Sequence, residues 1–276
     1  IESYKQLKVE LNKELIQILS YWANNTLDLE FGGFLGQIDH YNSVIPKAPK
    51  GIILNTRILW SFSAASNHLK TNQHKVICDR AYKYLKDFFR DKEHKGVYWE
   101  LDYKGNPINK RKQVYAQAFT IYALSEYYML SKNEEAKNWA IELFEVLEKH
   151  ANDKLNKGYF EAFNDDWNPI EDMRLSNKDM NASKTMNTHL HVLEAYTSLL
   201  KVYNNHQLKD ALRMLVDVFL QHFLNDKNHY ELFFDNQWNL LSNSVSYGHD
   251  IEAAWLLIDA VKLLNDGELL NQVNTT

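Results

Sequence analysis

The sequence predicts an all-α fold built from repeated helical hairpins, and three observations lead there. Helical periodicity runs through eight long segments, and only four prolines and nine glycines interrupt 276 residues. Short Gly-and-aromatic segments recur between alternate helices, with Gly33, Gly96 and Gly158 separated by 63 and then 62 residues. A fixed period signals a repeat architecture. Polar residues suited to chemistry fall near the starts of every second helix.

Taken in order, a first helix is expected over about 3–24, followed by Gly32-Gly33-Phe34-Leu35-Gly36. Helices two and three are expected at 54–70 and 73–90, followed by Gly96-Val97-Tyr98-Trp99-Glu100. Helices four and five follow at 112–131 and 134–150, the former with Ile121, Leu124, Tyr127 and Tyr128 at helical spacing. Gly158-Tyr159-Phe160-Glu161-Ala162 precedes helices six and seven, at 185–203 and 207–224. A weaker fourth copy of the connection lies around 230–235, before helix eight at 249–265 and the start of a ninth near 266–273. The unit reads as helix, short hairpin-like strand pair, second helix. Each unit has one apolar face that needs neighbours to cover it, which an open superhelix or a closed ring would both provide.

Apolar residues make up 45% and charged residues 24%, the balance of a folded domain with a large core. Sixteen Tyr, thirteen Phe and seven Trp suit either that core or an aromatic-lined sugar pocket. A net charge of −5 with scattered Lys and Arg argues against nucleic acid or an anionic membrane as the partner. Cys78 is the single cysteine, which excludes an intrachain disulfide and a cysteine-based metal site. No H-E-x-x-H pattern, comparable metal-ligand cluster or Gly-rich nucleotide loop is present, so no metal and no cofactor is expected. Without a membrane-length or signal-peptide apolar run, the cytoplasm is the expected location.

The most informative stretch is Ser246-Tyr247-Gly248-His249-Asp250-Ile251-Glu252-Ala253-Ala254-Trp255. It puts His249 at a helix N-terminus, where the helix dipole favours the neutral imidazole, the form that acts as a base. Glu252, three residues on, lies on nearly the same face and is a candidate to orient His249 or hold a hydroxyl. The alternative is an ordinary helix start with acidic first-turn residues. Arg57 lies in Asn55-Thr56-Arg57-Ile58-Leu59-Trp60, where its guanidinium suits either stabilisation of a developing negative charge on oxygen or a structural ion pair. His189 and His191 point about 200° apart on a helix, so only one of them can face a central cavity. Tyr115, Asn187, Arg57, His191, His249 and Glu252 all open even-numbered helices, as residues sharing one cavity would. Trp60 and Trp238 are candidate stacking platforms for sugar rings.

These motifs, with Gly158-Tyr159-Phe160-Glu161-Ala162-Phe163 and Asp166-Trp167 between them, resemble the N-acylglucosamine 2-epimerase superfamily from about Leu7 to Leu264. Asp250 after the motif histidine, and Trp255-Leu256-Leu257, look more like its cellobiose-acting branch. The resemblance implies a closed (α/α)6 barrel with strand-rich connections at its mouth. It implies His191 rather than His189 as the functional histidine, with Arg57 lining the site. It further implies conversion of reducing-end glucose to mannose in β-1,4-linked disaccharides such as cellobiose, a small-molecule substrate. A six-hairpin ring needs twelve helices. The single barrel domain, 1–276, is therefore expected to be incomplete at the C-terminus, lacking the last third, where relatives carry a Trp-Trp segment and another catalytic histidine. The alternatives are an aldose–ketose isomerase or N-acylglucosamine 2-epimerase of the same superfamily, and a non-catalytic helical-repeat binding module. A glycoside hydrolase drawing on Asp165, Asp166, Asp235 or Asp250 is a further alternative.

Overall fold

A computed structural model describes residues 2–274. The helices are α1 (Glu2–Asn25), α2 (Ile52–Leu69), α3 (Lys75–Tyr84), α4 (Val114–Ser131), α5 (Glu134–His150), α6 (Met186–Leu200), α7 (His206–Val218), α8 (Tyr247–Leu264) and α9 (Gly267–Asn274). The expected boundaries hold to within a few residues at most ends. The difference lies at the ends of α3 and α7, which run on through π-helical turns at Leu85–Phe89 and Phe219–Phe223. None of the helices is long and apolar enough to cross a membrane.

The even-numbered helices pack one against the next, α2 on α4, α4 on α6 and α6 on α8, while α3, α5, α7 and α9 each fold back on the preceding helix. The two layers follow from composition. Outer α7 has one apolar stripe, Leu208, Ala211, Leu212 and Leu215, at helical spacing. Inner α6 is covered on all sides and buries every residue except Asn187. α8 is the least covered inner helix, with Ile251 and Trp255 exposed, and α1 leaves Tyr4, Leu7, Leu11 and Ile18 exposed.

Each connection carries the hairpin-like pairing expected within a unit as a single antiparallel bridge, Leu27–Phe34, Arg90–Val97, Asn152–Tyr159 and Leu224–Tyr230, while the longer strands mostly pair elsewhere. Of the longer strands among the described residues, β2 (Glu100–Leu101) and β3 (Pro107–Asn109) pair inside one connection. The others pair across successive connections, all antiparallel: β1 (Lys50–Gly51) with β2, β4 (Lys112–Gln113) with β5 (Ala162–Phe163), and β6 (Lys184–Thr185) with β7 (Phe233–Phe234). The cause is the helix start that follows each leading strand. The first N–H of a helix has no partner within it. Ile52, Val114 and Met186 donate theirs to the carbonyls of Trp99, Glu161 and Leu232 in the next connection.

Each of the first three connections carries a buried ion pair, Lys50–Asp28, Lys112–Asp91 and Lys184–Asp153. Each aspartate also accepts two backbone N–H groups of its own turn, such as those of Glu30 and Phe31 for Asp28. The lysine directly precedes the inner helix, so the pair pins the helix start to the preceding turn. In the fourth connection Asn225 takes the aspartate's place, accepting from Lys227 and His229 N–H. The fourth copy reads weakly because His229, before Tyr230, stands where the other copies have Gly33, Gly96 and Gly158.

Candidate active site

The register of the four inner helices decides which residues meet. The fourth residue of α4, α6 and α8 holds a connection. Gln117, His189 and Asp250 accept the backbone N–H of Val97, Tyr159 and Tyr230, at 2.8, 2.8 and 2.9 Å. Asn55, fourth in α2, donates instead to the carbonyl of Gly51. Two residues further on is about 200° around the helix, on the opposite face. There stand Arg57, Phe119, His191 and Glu252, and all four line one cavity of about 180 Å³. One turn deeper, Trp60, Tyr122 and Glu194 line the same cavity.

Glycine is required beside these anchors. A side chain at Gly158 would meet His189 Nε2 at 2.7 Å, and one at Gly96 would meet Gln117 Oε1 at 2.9 Å. Both glycines have positive φ, 79° and 76°. His189 is thereby structural. Its Nδ1 lies 2.7 Å from the Thr185 carbonyl while Nε2 accepts from Tyr159, and burial pushes its pKa down to about 3. The ring is neutral and both nitrogens are taken.

Around the cavity the contacts are close. The Arg57 guanidinium lies 4.5 Å from the centre of the Phe119 ring. The His191 ring sits 4.5 Å from Phe119 and 5.0 Å, edge-on, from Tyr115. The Tyr115 hydroxyl meets Arg57; burial raises its pKa and the guanidinium opposes the rise. Arg57 has no carboxylate ion-pair partner among the described residues, so the structural salt bridge weighed from sequence does not form. Trp60 stacks on Tyr122 at 5.0 Å, and its indole N–H is buried without a partner. One face of Trp60 is thus already covered, and its free donor is what it offers the cavity.

A second cavity, about 130 Å³, is lined by His249 and Asn187 together with Glu161, Arg174 and Asp179. His249 is the third residue of α8, behind the Ser246 cap, and its Nδ1 is buried with no hydrogen-bond partner. Glu252 makes no hydrogen bond to it and lines the first cavity instead, so the orienting role expected for Glu252 is not what the geometry provides. Asp250 is fixed to the 225–230 turn, 2.8 Å from His229 Nδ1.

Glu161 is only 2% exposed and accepts from the Thr188 hydroxyl (2.6 Å) and Thr185 N–H (2.7 Å). Burial pushes its pKa up to about 8 from an ordinary 4.5, against the pull of those hydrogen bonds. Between these values the folded chain keeps a proton that the unfolded chain has released, so stability falls as pH rises through that window. Glu161→Gln is expected to flatten the Tm–pH curve over the same range in thermal unfolding. An unchanged slope would show that Glu161 is not the group responsible.

The structure therefore brings Arg57, Tyr115, His191, Glu252 and Trp60 together, with His249 and Asn187 on the neighbouring cavity. Trp238 does not join them. Its indole donates to the Asn156 carbonyl and stacks on His222 at 4.3 Å, filling the space beside Gly158. Trp167 does the same one unit earlier, donating to His94 and stacking on His150. Of the carboxylates a hydrolase would draw on, Asp166, Asp235 and Asp250 accept backbone N–H bonds. Clefts of about 340 and 400 Å³ open elsewhere, beside Lys50 and beside Arg111; of the residues singled out from sequence they hold only Asp165, in the second, with no histidine beside it. Phe119, Tyr122, Glu194 and Glu161 were not singled out from sequence. The repeat carried the signal for two of them, because Phe119 and Tyr122 stand 62 residues after Arg57 and Trp60.

The family model described as N-acylglucosamine 2-epimerase matches residues 33–274. A cellobiose 2-epimerase of Bacteroides fragilis is 47% identical over 97% of this chain and 69% of its own length. The solved structure of a cellobiose 2-epimerase from Bacillus thermoamylovorans superposes with a TM-score of 0.91 at 39% identity, covering 97% of this chain and 70% of that one. A D-mannose isomerase structure superposes with a TM-score of 0.81 at 22% identity, covering 97% and 67%, a likeness of fold.

Proposed function

The chain belongs to the N-acylglucosamine 2-epimerase family, and from that membership we propose that it is a carbohydrate epimerase of the cellobiose 2-epimerase type. It interconverts glucose and mannose at the reducing end of β-1,4-linked disaccharides such as cellobiose. The observation that carries the reading is the convergence of Arg57, His191 and Glu252, from three inner helices, on one cavity, with His249 on the next.

The chemistry follows from what C2 epimerisation demands. Once the ring is open, a base takes the C2 proton and its electron pair moves onto the C1 oxygen as an enediolate. A proton then returns to C2 from the opposite face. His249 exchanges the proton on one side and His191 serves the other. Arg57, free of any carboxylate partner, stabilises the enediolate oxygen. Glu252 and Asn187 hold sugar hydroxyls, and the Trp60 indole donates a hydrogen bond.

Incubation of the intact protein with cellobiose tests the reading. The expected product is glucosyl-mannose with its glycosidic bond intact. Free monosaccharides would mean hydrolysis, and a terminal ketose would mean aldose–ketose isomerisation.

A further inference from the structure

The spacing His-x-x-Glu occurs on two inner helices, as His191…Glu194 on α6 and His249…Glu252 on α8. Only the first makes a hydrogen bond, with His191 Nδ1 and Glu194 Oε2 3.0 Å apart. We propose that Glu194 is a positioning residue, which accepts the Nδ1–H of His191 and so turns an unprotonated Nε2 toward the cavity that holds Arg57. The functional part of this inference rests on the epimerase reading above; the geometric part does not.

Three observations support it. A carboxylate accepts and does not donate, so the nitrogen facing it carries the proton. In a neutral imidazole the other nitrogen is then the lone-pair site, and the tautomer is set by this one contact. Both side chains are nearly enclosed, His191 at 7% and Glu194 at 11% exposure, so water does not compete freely for the pair. Glu194 is itself held from α4, because the Tyr122 hydroxyl faces it. Burial first, and then the Glu194 charge, keep that phenol far above its ordinary range, so it stays protonated. Tyr122, Glu194 and His191 all line the one cavity, and the His191–Glu194 hydrogen bond is the link between the last two. His191 Nε2 has no hydrogen-bond partner among the described residues, as a group reserved for substrate requires.

The test reads the tautomer directly. In histidine-¹⁵N-labelled protein, long-range ¹H–¹⁵N spectra distinguish Nδ1–H from Nε2–H rings, and the His191 signal is identified by its loss in His191→Asn. The expected result for the neutral wild-type ring is a protonated Nδ1 and a bare Nε2. Glu194→Leu is expected to shift that ring toward Nε2–H. It should also lower kcat on cellobiose roughly 10- to 100-fold with KM little changed, the scale on which outer partners of working histidines act. An Nε2–H tautomer in the wild type overturns the proposal, and so does Glu194→Leu with unaltered tautomer and kcat. The wild-type spectrum alone suffices if the variant fails to fold. The expected tautomer in a protein that does not epimerise cellobiose would overturn the function reading and leave the geometric inference standing.

Discussion

Replacing His249 with alanine is expected to lower turnover of cellobiose by about 10²- to 10⁴-fold, the usual contribution of a positioned proton-transfer group. The reason is its placement. His249 stands three residues into α8, where the helix dipole acts on it, and it lines the cavity shared with Asn187. Among the described residues the imidazole has no hydrogen-bond partner, and its Nδ1 is buried. Its removal therefore breaks no structural bond, and Tm should stay close to that of the wild type. Steady-state kinetics beside thermal unfolding check this. A loss of activity below tenfold would remove His249 from the proton path.

Arg57→Ala is expected to cost about 10²- to 10³-fold in kcat, as losing one donor to a developing oxyanion does. The competing account, a structural arginine, predicts a different outcome. Its structural contacts are the Tyr115 hydroxyl and the face of Phe119, 4.5 Å away. At a partly open site such a contact is worth about 0.5–1 kcal/mol. The loss should therefore appear in kcat far more than in stability. Arg57→Lys should recover only part of the activity, because an ammonium keeps the charge but not the planar two-pronged donor. Full recovery by lysine would mean that charge alone is at work.

Much of the fold was legible because helix signals are local. The spacing of Ile121, Leu124, Tyr127 and Tyr128 gave α4, and the recurrence of Gly33, Gly96 and Gly158 gave the repeat. The strand pairing was not legible, since pairs such as Lys112 with Phe163 depend on how successive units stack. The π turn at Leu85–Phe89 keeps the residue pattern of a helix and changes only the hydrogen bonding. Within the site, the 200° between His189 and His191 showed that only one could face the cavity, the resemblance pointed to His191, and the structure supplies the reason: His189 is the equivalent of Gln117. Trp238 failed as a sugar platform because the sequence does not show that a tryptophan must fill the space beside Gly158. Glu194 was overlooked although it repeats the three-residue spacing of His249 and Glu252. Its partner Tyr122 arrives from another helix, and that contact exists only in three dimensions.

The central claim is that the C2 proton of the reducing sugar is exchanged through an enediolate. It is tested most directly by incubating the intact protein with cellobiose in D₂O and locating deuterium in the products. The account predicts glucosyl-mannose carrying one deuterium, at C2 of the reducing sugar, with none appearing there in a His249→Ala control on the same timescale. Epimer formed without deuterium at C2, or deuterium-free cleavage to monosaccharides, would contradict it.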